Sequence, residues 1–386
     1  MDQTKFELGD KLTPLIITPV GPDPVPVLGT DHRRHLAYEL TIFNSGARPA
    51  TITRLTVRAD EPSGPALTTM TADEIIANSL LVGEFAVPPQ PVATIASGST
   101  TVVIMDMVLA DDAEAPRRLV HEVRATFGEV RPQQAEYAQQ FPHDIVQLGG
   151  VVVVDPATPI TIGAPLTGPH WFAANACGPM NAHRGAVVPV GGRLNPAERY
   201  AIDWVRIDPE ARPLADEATG LLATFRGDRD ANQSYYAWDQ PVLAVGAGEI
   251  VTVFDELPDA TPQVMMSGIP FDQLGGNHVV LRLADEVYAF YAHLRPGTMR
   301  VRVGDQVRPG QELARTGNSG NTSEAHLHFH VMASPFPLDA DNLPFVINEF
   351  GYEGQFAPDG VTGGAGERRG QLPLVNSVIG FPGRGD

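Results

Sequence analysis

Three histidines alternate in the apolar run Ala-His-Leu-His-Phe-His at residues 325–330. In an extended strand, side chains two residues apart leave the same face. As a strand, this run therefore places His326, His328 and His330 side by side. Buried imidazoles need hydrogen-bond partners, so such a row is a poor way to fill a core. It is a good way to set a divalent metal beside a proton-transfer group. The same half of the chain also carries His170, His183, His278 and His293, with Asp, Glu and the single Cys177 as further donor types. A hydrolytic zinc site takes three protein ligands and keeps a further position for water. The question is which of these side chains converge.

The elements that must position them read as mainly β. Gly (38) and Pro (35) are abundant among 386 residues, and long amphipathic stretches are few, which favours a turn-rich β architecture. The runs 36–44, 50–59 and 100–109 alternate in polarity and are separated by turn signals. They predict an immunoglobulin-like β-sandwich over residues 1–155. No cluster of catalytic residue types falls there, so it reads as a spacer or binding module. A short helix is expected in 71–81 and an acidic loop at 111–115. Asp-Pro-Ala-Thr-Pro at 155–159 marks a boundary.

Residues 156–386 form the second expected domain. The stretch 242–254 reads as strand, tight glycine turn, strand. Residues 277–283 and 287–294 read as a hairpin turning at Ala284-Asp285-Glu286. Residues 208–234 are polar and aperiodic and read as a loop insertion. The glycine-rich tail at 360–370 reads as mobile, with a last strand in 372–381.

Composition narrows the function. The formal net charge is −19, from 27 Lys and Arg against 46 Asp and Glu, so a nucleic acid is excluded as a partner: phosphate neutralisation needs clustered cations. No run approaches the ~18 apolar residues of a membrane span. Cys177, being single, forms no internal disulfide. The opening MDQTKFELGD lacks the basic and apolar regions of a secretory leader. Residues 185–192 are not a phosphate loop, and no serine sits in a nucleophile elbow. Oligomeric state is left open.

An ordered set of motifs resembles the M23 peptidases, the lysostaphin-like zinc endopeptidases. Pro-Val-Leu-Ala at 241–244 with Gly-Glu-Ile-Val at 248–251 is similar to that family's first strand pair. Tyr-Ala-His-Leu at 291–294 is similar to its Tyr-x-His-Leu element. Residues 303–311 resemble its following turn, and 317–329, Gly-Asn-Ser-Gly through His-Leu-His-Phe, its Gly-x-Ser-Gly and His-x-His segment. The resemblance covers about 182–332 and implies an antiparallel β-sheet peptidase domain. It implies a Zn2+ cofactor held by His183, Asp203 and His328, with His293 and His326 as catalytic histidines. Either histidine could be the base. His330 faces the same side of the strand and reads as a supporting donor, and His170 with Trp171 as core packing or groove lining.

The family spaces its first His and Asp four residues apart. Here an insertion at about 184–202 separates His183 from Asp203, and its Pro-Val-Gly-Gly-Arg at 189–193 is a turn signal that predicts a hairpin or loop returning the chain. A C-terminal extension begins at about 335. The resemblance further implies a peptide or peptidoglycan substrate and a periplasmic or secreted location. The alternative is a non-catalytic M23-like module that acts in protein or cell-wall interaction.

Overall fold

The alternating runs of the first half become the strands Leu15–Val20, Arg34–Asn44, Ala50–Ala59, Ala66–Thr71, Thr100–Leu109, Arg118–Phe127 and Asp144–Val153. The computed structural model describes residues 13–83, 92–109, 114–129, 135–138, 142–211, 215 and 222–383. By internal contacts these divide into two compact units. The first holds the described residues of 1–26, 33–158 and 178–187; the second holds 27–32, 159–177 and 188–386. The opening residues 1–12 and the acidic positions 111–113 lie outside the described residues.

In the first unit, Leu15–Val20, Arg34–Asn44, Thr100–Leu109 and Ser79–Leu81 are neighbours in one sheet. Ala66–Thr71, Ala50–Ala59, Arg118–Phe127 and Asp144–Val153 form another. Alternation sends Leu36, Tyr38, Leu40, Val103 and Met105 from one sheet into a shared core with Leu55, Val57, Leu119 and Val123 from the other. The helix expected in 71–81 is shorter, Ala72–Ala77. Thr71 and Glu74 form a reciprocal capping box at its start. It ends because Ser79–Leu81 turns to strand and pairs with Thr100–Leu109, burying Leu80.

The second unit is built on a twelve-stranded sheet whose pairings are antiparallel. Its middle runs Gly248–Phe254, His278–Ala284, Val287–Ala292, Leu327–Met332, Ile202–Arg206, Gly168–Ala174 and Ser377–Phe381. The expected hairpin at 277–294 is present, with Ala284 opposite Val287 and Glu286 at φ 55°. Two expectations are corrected. Pro241–Leu243 and Gly248–Phe254 do not pair with each other: the first pairs with Glu312–Arg315, the second with His278–Ala284. The residues between them include Ala244 and Val245, both buried, and apolar residues of that kind do not make a surface turn. The tail is not loose either. Gly360–Thr362 and Gly366–Arg368 both pair with Phe350–Ala357, so the glycines serve a turn. The last strand forms as Ser377–Phe381.

In 208–234 the described residues carry isolated bridges and a 3-10 turn at Asn232–Ser234. Among the described residues, no helix is long and apolar enough to cross a membrane.

The stretch between His183 and Asp203 folds into a two-stranded hairpin of Val187–Val190 and Arg193–Pro196. Its turn residues, Gly191 (φ 61°) and Gly192 (φ 78°), both occupy the left-handed region that a tight hairpin turn requires. A Cβ on Gly192 would meet nothing within 4 Å, whereas one on Gly191 would lie 2.4 Å from Asp339 Oδ1. Gly192→Ala should therefore cost about 1 kcal/mol, the backbone penalty alone. Gly191→Ala should cost more, and the two values should separate clearly in urea unfolding.

Candidate metal centre

Strand register makes the first contact. Ile202–Arg206 pairs with Leu327–Met332 so that Asp203 stands directly opposite His328. Leu327–Met332 pairs on its other edge with Val287–Ala292, which sets Phe290 opposite His330 and Ala292 opposite His328. Directly opposed residues share a face of the sheet and have close Cβ atoms. His328 Nδ1 lies 3.0 Å from Asp203 Oδ1. His326 Nε2 approaches the same oxygen at 3.3 Å. His328 Nε2 is 2.9 Å from His330 Nδ1, so His330 supports the ring beside it.

His183, Asp203 and His328 each offer one ligand atom, and these atoms lie within 4.8 Å of one another. Two imidazoles and one carboxylate are a donor set suited to zinc, and leave a position for water. The surroundings fit a metal as well. Asp203 Oδ2 accepts a hydrogen bond from Asn175 Nδ2 at 2.9 Å, which fixes the carboxylate's rotation and turns Oδ1 towards the histidines. Asn175 is in the left-handed region (φ 51°) just past Gly168–Ala174, whose Ala174 opposes Asp203. Sequence reading missed it. The available signal was an asparagine, a side chain that tolerates this conformation, at a strand end. Four residues before Asp203, where the family places its first histidine, stands the buried Arg199.

The two further histidines are held by backbone. His293 follows Val287–Ala292 with φ 59°. Its N–H donates to Gly275 O and its carbonyl accepts from Gly317 N. Its ring Nδ1 donates to Ser319 O at 2.8 Å. His326 Nδ1 likewise donates to Glu324 O at 2.8 Å. A carbonyl only accepts, so in the neutral His293 ring Nδ1 carries the proton and Nε2 the lone pair, whereas His326 meets an acceptor at each nitrogen. The ring centroids are 4.7 Å apart.

Their electrostatics diverge. Burial, then the neighbouring His326 and His328, hold His293 well below the ordinary histidine value, against the pull of Asp203 and Ser319. Burial also presses His326 down, but Asp203, the Glu324 carbonyl and the Glu324 carboxylate outweigh it, and its pKa is raised. A cation held at Asp203 would offset part of that pull. Glu324, enclosed beside them, is raised to about 7 by burial, against hydrogen bonds from Thr224 and Gln263.

The Gly-Asn-Ser-Gly segment is what delivers the Ser319 carbonyl. Ser319 Oγ donates to Leu294 O and accepts from Asn277 N. Gly320 turns the chain at φ 87°, and a Cβ there would lie 2.4 Å from Gly276 N. Other candidates lie elsewhere. His170 pairs with Glu353 at 2.7 Å, and Trp171 is buried with its Nε1 donating to Thr167 O. Cys177 is buried and outside the donor group. His278 donates from Nδ1 to Gly276 O and stacks on Phe254.

A β-rich chain with a His/Asp/His donor group is the class this geometry defines. Residues 235–340 match the family model of Peptidase family M23. The chain is similar to the glycyl-glycine endopeptidase ALE-1 of Staphylococcus capitis, 36% identical over 75 residues, which is 19% of this chain and 20% of that relative. It thus spans about a fifth of the length of that curated relative. Among solved structures it is similar to a point mutant of the catalytic domain of the prophage-encoded M23 protein EnpA from Enterococcus faecalis. That match has 16% identity, TM-score 0.27, and covers 47% of this chain and 93% of the other. It is also similar to the catalytic domain of the antimicrobial peptidase lysostaphin from Staphylococcus simulans, at 19% identity and TM-score 0.22, covering 45% and 84%.

If Asn175 orients Asp203, Asn175→Ala should weaken divalent metal binding about tenfold. His170→Ala should leave it unchanged. Isothermal titration with Zn2+ checks both; equal effects would remove Asn175 from the site.

Proposed function

We propose that this protein is a zinc-dependent endopeptidase acting on peptide bonds of peptidoglycan outside the cytoplasm. The observation that carries the reading is the His183, Asp203 and His328 donor set with two backbone-anchored histidines beside it. Bound there, a zinc ion supplies a water of lowered pKa and polarises the scissile carbonyl. Asn175 and His330 hold the donors in orientation. Of His293 and His326, one takes the proton that the attacking water loses, at its Nε2. The other, protonated, donates a hydrogen bond to the carbonyl oxygen as negative charge develops. The departing amine is protonated by the first of these rings, so the proton taken from water leaves with the product.

Peptidoglycan as substrate and an extracellular or periplasmic location are supported by the M23 match and by the likeness to a glycyl-glycine endopeptidase. The expected division at about 155, with an immunoglobulin-like sandwich before it, assigns residues 1–155 as a spacer or binding module.

Purified protein should carry about one zinc per chain by plasma emission, and His328→Ala should abolish it. Absence of zinc from both proteins would sink the enzyme reading in favour of a non-catalytic module. His326→Ala should keep zinc and lose at least about 100-fold in hydrolysis. Loss of metal in that variant would mean that the ligand and catalyst roles are exchanged. A digest of purified peptidoglycan, read by mass spectrometry of the released peptides, should show a new amino terminus at the cleaved bond.

A further inference from the structure

Strand alternation in Arg34–Asn44 sends Leu36, Tyr38, Leu40 and Ile42 into the core of the first unit. Glu39 therefore leaves the opposite face of its sheet, where a charged residue ordinarily meets water. Its side chain is instead 0% exposed, and so is its partner Arg184, with Nη2 3.0 Å from Glu39 Oε1. The same guanidinium donates to Tyr38 O, Met105 O and Gly178 O. Tyr38 and Met105 are register partners on neighbouring strands, so one side chain ties two strands to the 178–187 segment. Met180 N donates to Asn78 Oδ1 at 2.8 Å, and Arg184 N to Asn181 Oδ1 at 3.0 Å. The segment is thus pinned at 178, 180 and 184, on both sides of His183.

A buried ion pair is weak evidence of added stability. Desolvation of the two charges consumes most of the attraction, and apolar replacements are often as stable. A guanidinium with its donors spread over a carboxylate and three carbonyls does fix position, because its planar fork accepts few alternative geometries.

We propose that the Arg184–Glu39 pair is a positioning device for His183. The inference rests on the reading of His183 as a metal ligand. Its consequence is that Arg184 acts on zinc only through the neighbouring side chain.

A double-mutant cycle on the full chain tests this, with zinc affinity measured by competition with a chromophoric chelator and folding checked by thermal unfolding. His183→Ala should weaken zinc binding. Arg184→Met alone should weaken it about tenfold. In the His183→Ala background, Arg184→Met should have no further effect. Equal losses with and without His183 would overturn the proposal, because they would make Arg184 a general stabiliser. Should Arg184→Met not fold, Arg184→Lys, which keeps the charge and loses the fork, runs the same cycle with a smaller loss expected. An unchanged zinc affinity in His183→Ala would overturn the ligand assignment, and this inference with it. An effect of His183→Ala with none from either Arg184 variant would leave the ligand in place and overturn the positioning role alone.

Discussion

Asp203 faces His328 across two antiparallel strands, and the chemistry at the site depends on that pairing staying in register. A slip by one residue would turn each side chain of the moving strand to the other face. What prevents it is apolar. Ile202, Trp204, Leu327 and Phe329 flank the polar pair, and all are fully buried. Ile202 opposes Phe329 and Trp204 opposes Leu327. Trp204 also meets the Phe381 ring edge-on at 5.3 Å, and Phe329 meets Tyr291 and Phe345. The cost of exposing that face is of the order of 2 kcal/mol for each large side chain. The donor atoms inherit their positions from a core they do not touch.

The two further histidines are positioned by a different means. His293 and His326 lie just outside the strands, His326 bridged to Gly317 alone. Each ring is instead tethered by Nδ1 to a backbone carbonyl, and each carbonyl is set by a loop of small and polar residues. Asn277 shows how such a loop is made rigid. Its side chain is fully buried, accepts from Glu256 N and Leu257 N, and donates to Leu257 O and Leu294 O. A polar group satisfied on all sides costs little to bury, and it specifies one conformation. Asp203 and His328 sit on sheet, and His293 and His326 at its margin, fastened to backbone.

This division explains what could be read in the sequence. The strands at 50–59 and 100–109 were legible residue for residue, because polarity along each run alternates with a period of two. The row of histidines at 326, 328 and 330 was legible for the same reason. Pro241–Leu243 and Gly248–Phe254 looked like a hairpin because sequence shows adjacency and not partner choice; both strands found partners farther along the chain. The glycine-rich tail was misread because composition cannot tell a turn between paired strands from a free end. Asn175 was not legible at all. Its role is one hydrogen bond to a residue 28 positions away, and no local pattern encodes that.

The separation of His183 from Asp203 is less costly than it looks. Closing a flexible loop costs about 0.6 kcal/mol for each doubling of its length. Going from four residues to twenty is therefore a penalty of little more than about 1 kcal/mol. A paired hairpin with both turn residues already left-handed removes much of the freedom that this penalty measures. Length is thus no obstacle to convergence, but it removes the rigidity that a four-residue spacing would have supplied along one strand. Orientation of the His183 side chain must come from elsewhere. The packing around it has the needed stiffness: Asn181 and Arg184 hydrogen-bond within the segment, and the Arg184 side chain is locked between two strands. A long insertion is tolerable where the segment before it, here 178–187, is itself part of a folded core.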